Sequence, residues 1–225
     1  SKRVFGTGGR GVSVRADTLA RMPHLESFEG RLEEDETYDR IAFSGLDLSG
    51  VNASGARFLE CAVTSCDLAS ADLSRSRWVE TTLTKVRGAG LDLSEASLLD
   101  VTITDARLGA PAAYSSTWRD VTVRGGKIEF LNLRGATLRD VHFEDVVLLE
   151  PDLAGATLTG VGFSGCSMTA PQFAGAKLKN VDLSGATLVA PQGLASLGGA
   201  LVSRLQLLDL ADAFADQLGI RVKDG

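Results

Sequence analysis

Ala71-Asp72-Leu73-Ser74-Arg75 and, much later, Val181-Asp182-Leu183-Ser184-Gly185 share one pattern: a small or apolar residue, a polar one, a large apolar centre, then two further polar or small positions. The pattern does not slip between them. Stepping by five from Phe43 gives 30 positions up to Leu188, and 27 carry Leu, Ile, Val, Met, Phe or Trp, the exceptions being Ala53, Gly88 and Ala113. Two residues before each centre runs a second set, mostly small or apolar, as in Ala56, Cys61, Cys66, Ala96, Val101 and Ala136. An α-helix collects apolar residues on one face at a spacing near 3.6 and a strand at a spacing of 2. A strict period of five fits neither, so each five is a structural unit of its own.

These residues resemble the pentapeptide-repeat family, whose motif is roughly Ala-Asp/Asn-Leu-x-x and whose members coil four such units into one square turn. The resemblance implies an all-β fold, a right-handed quadrilateral parallel β-helix, with a C-terminal capping α-helix. Residues 20 apart then stack at the spacing of neighbouring strands, about 4.8 Å, and thirty units make a rod of roughly 36 Å. The centre and the small residue before it point inward, the interior is dry, and no coil is stable without its neighbours. Both ends would expose strand edges and core, so caps are expected. The expected organisation is residues 1–37 as N-terminal leader and cap, 38–192 as the β-helix, and 193–225 as a C-terminal capping and dimerisation helix.

Composition bounds the function. With 44% apolar and 23% charged residues in 225, the chain reads as one folded body with a core. A net charge of −6 argues against direct binding of nucleic acid phosphates. No run approaches the ~20 apolar residues of a membrane span, and no apolar stretch follows Ser1–Arg10, so a cytoplasmic protein is expected. Cys61, Cys66 and Cys166 lack metal spacing and all fall on the inward small position, where they are expected to pack as small hydrophobes.

Both ends leave the frame. Gly6-Thr7-Gly8-Gly9-Arg10-Gly11 matches GxGxxG literally, but no βαβ unit follows, which makes a glycine-rich leader the better reading. After Pro191 the period fades; Ser203 reads as an N-cap and Gly219 as a C-cap around Leu207, Leu208, Ala211, Phe214, Ala215 and Leu218 at helical spacing. This amphipathic helix is expected to plug the last coil. The stretch from Leu207 to Ile220 also resembles the C-terminal helix of the quinolone-resistance branch of the family, which implies a homodimer interface of Leu207, Leu208, Ala211, Phe214 and Leu218; capping alone is the alternative.

Outward residues 20 apart form columns. One reads Arg40, Glu60, Glu80, Asp100, Asp120, Asp140, Gly160, Asn180, with five consecutive carboxylates. At about 4.8 Å spacing, neighbouring unit charges repel by about 1 kcal/mol in water. The column has two readings: Asp and Glu suit the turn or are offset by Arg57, Arg77, Arg119 and Arg139, or they form an anionic stripe resembling one edge of a DNA duplex. Against the second stand a surplus of only four acids over bases in residues 41–190 and a basic column of Arg87, Arg107 and Lys127. Ser44, Thr64, Thr84 and Thr104 form a hydroxyl ladder, Leu59, Val79 and Leu99 a short apolar line expected to be exposed, and Pro111, Pro151, Pro171 and Pro191 an inward column.

The chain has two histidines, His24 and His142, and no catalytic or metal motif, so neither an enzyme nor a cofactor is expected. The resemblance implies a DNA-mimicking modulator of a bacterial type II topoisomerase, DNA gyrase or topoisomerase IV, conferring resistance to quinolones or topoisomerase toxins. Glu60, Glu80, Asp100, Asp120 and Asp140 are the residues expected to meet that partner. The alternative is a scaffold or regulatory module that binds another protein through its apolar or basic columns.

Overall fold

The computed structural model describes residues 25–217 and 219–223. The glycine-rich motif at 6–11, His24 and Leu218 lie outside the described residues. The chain winds as a four-sided parallel β-helix in which each residue pairs with the one 20 positions on. Along the first face Tyr38, Phe58, Trp78 and Leu98 stand in register, and along the second Phe43, Val63, Leu83 and Ile103 do the same. The third face carries Gly88, Leu108, Ile128, Leu148, Met168 and Leu188 in a separate sheet. The fourth is a ladder of single bridges running from Asn52 to Gln192. In mid-rod the first two faces merge, as Ser97–Thr104, Thr117–Arg124 and Thr137–Glu144 each continue around a corner as one strand of eight residues.

The motif explains why one face is turns and another is strands. On the fourth face Asn52, Asp72, Asp92, Asn132 and Asp152 each accept the backbone N–H two residues ahead, at 2.8–3.2 Å. The carbonyl of the following centre accepts the N–H three residues on, as Leu73 does from Ser76 and Leu133 from Ala136. A short carboxylate or amide thus closes a β-turn locally. Where the same position holds Arg57, Arg77 or Lys177 no such acceptor exists, and the unit stays extended.

Corners repeat with equal regularity. From Arg40 to Ala190 every fifth residue except Gly185 has φ between 47° and 73°, the left-handed region. Twenty of these corners are not glycine, although that conformation costs an L-residue roughly 1–2 kcal/mol. Ladder bonds between coils and the packed interior hold each corner in place.

The interior is mainly apolar. Phe58 stacks on Trp78 with ring centroids 3.9 Å apart, and Phe143 on Phe163 at 4.9 Å. The Trp78 indole donates to the Ser76 hydroxyl at 2.8 Å, which in turn donates to the Leu73 carbonyl. Ala53 and Ala113, two of the three interruptions of the apolar period, are buried all the same. Gly88, the third, sits where a Cβ would lie 2.5 Å from the Ala69 backbone nitrogen, so close approach of two coils explains it. All three cysteines are free thiols in this interior, and burial raises the Cys61 and Cys166 thiols above their ordinary range. Pro111, Pro151, Pro171 and Pro191 are buried as well.

Each described end of the rod departs from the 20-residue register. At the start Glu26–Ser27 pairs with Ile41–Ala42, and Phe28 packs its ring against Tyr38 and Phe43, covering the first coil. At the finish Ala200–Leu201 pairs with Val181–Asp182, 19 residues back. Two short helices follow, α1 at Arg204–Asp209 and α2 at Ala211–Gln217. Ser203 caps α1 in a capping box with Gln206, and Gly219 takes φ 69° just past α2, both where the sequence places them.

The helical stretch nevertheless plugs the coil differently from the expectation. Helical spacing of apolar residues points to Leu207, Leu208, Ala211 and Phe214, but the inward stripe is Gln206, Leu210 and half-buried Phe214, while Leu207, Leu208 and Ala211 face outward. The physical reason is that the last coil has carbonyls with no further coil to pair them. The Gln206 amide donates to Leu183 and Ala186, each at 2.7 Å, supplying the missing bonds. Replacing Gln206 with Ala leaves the Ala186 carbonyl unpaired, leaves Leu183 with only the Ala186 N–H, and breaks the capping box, so a loss of about 2–4 kcal/mol is expected. Thermal denaturation checks this: a Tm within a degree of the native value would show that the cap does not depend on Gln206.

Candidate protein-binding surface

The five carboxylates of the acidic column share one backbone conformation. Glu60, Glu80, Asp100, Asp120 and Asp140 are exposed corner residues between the first and second faces, with φ between 49° and 53°. Asp is enriched in this region, but Glu has no such preference, and the other corners show that the geometry does not demand acids. The next corner reads Gly45, Ser65, Lys85, Asp105, Gly125, Asp145, Gly165; the one after it Gly50, Ser70, Gly90, Ala110, Phe130, Glu150, Ala170. Identical backbone with different chemistry means that turn preference does not concentrate five charges on one edge.

Nor are the charges offset nearby. Arg139 lies 3.4 Å from Asp140, whereas Glu60, Glu80, Asp100 and Asp120 make no ion pair among the described residues. Arg57, Arg77 and Arg119, in the first-face strands, make none either. The result is a solvated line of negative charge along one corner of the rod, with Asp140 alone of the five in an ion pair among the described residues.

The remaining columns are more neutral. Arg87 pairs with Asp67 at 3.1 Å and Lys127 with Glu129 at 2.7 Å, so two members of the basic column have internal counter-ions. Leu59, Val79 and Leu99 are half-buried, which corrects the expectation of an exposed apolar line; being strand residues, they are partly covered by neighbours above and below. Leu207 and Leu208 are exposed by 51% and 65%, and their exposure leaves an apolar surface beyond the plugged coil.

Sequence counting missed a recess on the second face. His142, Gly162 and Asp182 stand in one column through the pairings His142 with Gly162 and Gly162 with Asp182. With no side chain at Gly162, an opening of about 500 Å3 forms, lined also by Glu144, Ser164, Gly160, Asn180 and Ser184. Gly160 and Asn180 are the continuation of the acidic column, so the recess lies at the end of the charged edge. The available signal was Gly162 itself, in a column that otherwise reads Ala42, Ala62, Thr82, Thr102, Thr122, His142 and Asp182.

Among the described residues no group of His, Cys, Asp and Glu is placed to hold a metal ion, and no helix is long and apolar enough to cross a membrane. A family profile described as pentapeptide repeats matches residues 42–77, 130–165 and 152–185 with eight copies. Together with the five-residue coil geometry, this shows the matched segments to be pentapeptide repeats. No curated protein matches the chain by sequence. Among solved structures it is similar to a trypsin-treated variant of QnrB1, a plasmid-mediated fluoroquinolone resistance protein, at 16% identity over 88% of this chain and 96% of that one, with a TM-score of 0.32. It is also similar to HetL, a pentapeptide repeat protein involved in heterocyst differentiation regulation in the cyanobacterium Nostoc sp. strain PCC 7120, at 18% identity over 77% of this chain and 92% of that one, with a TM-score of 0.25. Likenesses at these scores carry no argument about what this chain binds.

Proposed function

We propose that this protein is a non-catalytic binding protein whose acidic edge occupies the basic DNA-binding channel of a bacterial type II topoisomerase, DNA gyrase or topoisomerase IV, and thereby modulates the enzyme or protects it from quinolones or topoisomerase toxins. The single observation behind this reading is the line of five exposed carboxylates, four without an internal counter-ion, on a corner whose backbone does not require them. Regular negative charge along a rod is what a cationic channel selects in DNA. The proposed contacts are Glu60, Glu80, Asp100, Asp120 and Asp140.

The test is binding of the full chain to purified DNA gyrase over a range of salt, with supercoiling measured alongside in the presence and absence of a quinolone. A DNA substitute loses affinity steeply as salt rises, whereas an apolar contact does not. Affinity indifferent to salt, or no effect on gyrase at micromolar protein, removes this reading and leaves a scaffold or regulatory module that engages another protein.

Two copies joined end to end through the exposed surface of α1 and α2 would lengthen the rod. The proposed contacts are Leu207, Leu208 and Ala211, which are exposed, half-buried Phe214 beside them, and Leu218, which lies outside the described residues; the same surface on both copies would meet about a two-fold axis. Leu207→Glu together with Leu208→Glu is then expected to convert a dimer to a monomer in sedimentation, with Tm little changed because neither side chain plugs the coil. A native protein that sediments as a monomer, or an unaltered dimer in the double variant, overturns this interface.

A further inference from the structure

We infer that the recess at Gly162 is a receptor for one arginine side chain of the basic partner that lies along the acidic edge; this rests on, and sharpens, the function proposed above. His142 and Asp182 flank the gap two coil steps apart, roughly 9.6 Å between backbones. That height admits one planar group between them and no second layer. A guanidinium is planar, stacks on aromatic rings and offers a fork of five donors, whereas an ammonium is a compact, strongly hydrated point charge.

The lining matches that fork. Asp182 accepts the Ser184 N–H at 2.9 Å and the Ser184 hydroxyl at 2.6 Å, both on Oδ1, which leaves Oδ2 free. The side chains of His142, Asn180 and Ser164 make no hydrogen bond to other described groups. Charge around the opening is anionic on both sides. A Cβ at Gly160 would lie 2.6 Å from Asp140 Oδ1, and one at Gly165 would lie close to Asp145 Oδ1, so each carboxylate sits over the corner glycine of the next coil, next to the lining residues Val161 and Ser164. Two of these carboxylates have counter-ions, Glu144 held by Arg124 at 2.7 Å and Asp140 by Arg139 at 3.4 Å, while Asp145 and Asp182 have none among the described residues. The imidazole of His142 borders the vacant column position on one side, its Nδ1 3.4 Å from where a Cβ of Gly162 would lie, and Asp182 offers the charge on the other. Gly162 itself has no left-handed φ, and a Cβ there would meet His142 Nδ1 at 3.4 Å, so close chain packing does not account for the glycine.

The test uses the full chain with two probes, a hexa-arginine and a hexa-lysine peptide of equal charge, read by calorimetry and by the His142 imidazole resonances. Gly162→Val fills the gap with a residue that suits a strand, and Asp182→Asn keeps the acceptor for Ser184 while removing the charge. Expected are a preference of about 10-fold or more for arginine in the native protein, shifted His142 resonances with hexa-arginine alone, and loss of the preference in both variants at native Tm. Equal affinity for the two probes, or a preference that survives Gly162→Val, overturns the receptor even if gyrase binds. A native arginine preference abolished by both variants, without gyrase binding, supports the receptor and removes only the choice of partner. Should Gly162→Val fail to fold, Asp182→Asn and the His142 resonances of the native protein decide alone.

Discussion

Changing Glu80, Asp100 and Asp120 together to Lys is expected to lower affinity for a cationic DNA-binding channel by at least about 100-fold and to abolish any effect on supercoiling. The column then carries three positive charges between Glu60 and Asp140. Attraction at each central contact becomes repulsion, and charge juxtaposition of the wrong sign at an interface costs several kcal/mol. The fold is expected to survive, because Lys85, Arg40 and Arg75 already occupy corners of the same conformation, with φ of 54–55°. Relief of like-charge repulsion along the native column works in the same direction. Circular dichroism and Tm establish that the variant is folded; gyrase supercoiling and direct binding then read the effect. A folded variant that binds gyrase as the native chain does would show that the partner contacts another surface.

Gly126→Val is expected to be among the most destabilising single changes in the chain, by about 3 kcal/mol or more, or some 6–12 °C in Tm for a protein of this size. The residue has φ 79°, a conformation that a β-branched side chain resists. A Cβ would also lie 2.2 Å from the Ala106 carbonyl oxygen and 2.7 Å from its nitrogen, both backbone atoms of the preceding coil. Neither atom yields without parting two coils, and a solenoid transmits such a break only to its neighbours. Hydrogen exchange is therefore expected to show protection lost first around Ala106–Lys127. An unchanged Tm would show that the two coils separate at little cost.

Gly126 also shows where reading by columns stops. Its column, two residues before each centre, runs Cys66, Val86, Ala106, Gly126, Val146, Cys166, and by composition valine is an ordinary occupant. The Gly125-Gly126 pair marks a turn locally, but that Gly126 lies against the Ala106 backbone is set by how one coil passes over another. Gln206 is a second case. Counting apolar residues assigns the inward stripe to Leu207, Leu208 and Ala211, but a buried carbonyl pair selects a donor, so a polar side chain takes the inward position. The recess at Gly162 is a third: one absent side chain among many glycines becomes a feature only when His142 and Asp182 stand on either side of it.

The repeat unit was legible in the residues alone: a strict period of five with an apolar centre makes each five a unit and sets all three cysteines on the inward position. The resemblance to the pentapeptide-repeat family added that four units close one turn, and with that the alignment of Glu60, Glu80, Asp100, Asp120 and Asp140 at 20-residue spacing followed. Only the tertiary structure decided which of those carboxylates have counter-ions, which helical residues seal the last coil, and where the surface opens. Those outcomes depend on distances between coils, and a periodic sequence repeats its pattern without saying how closely any two coils approach.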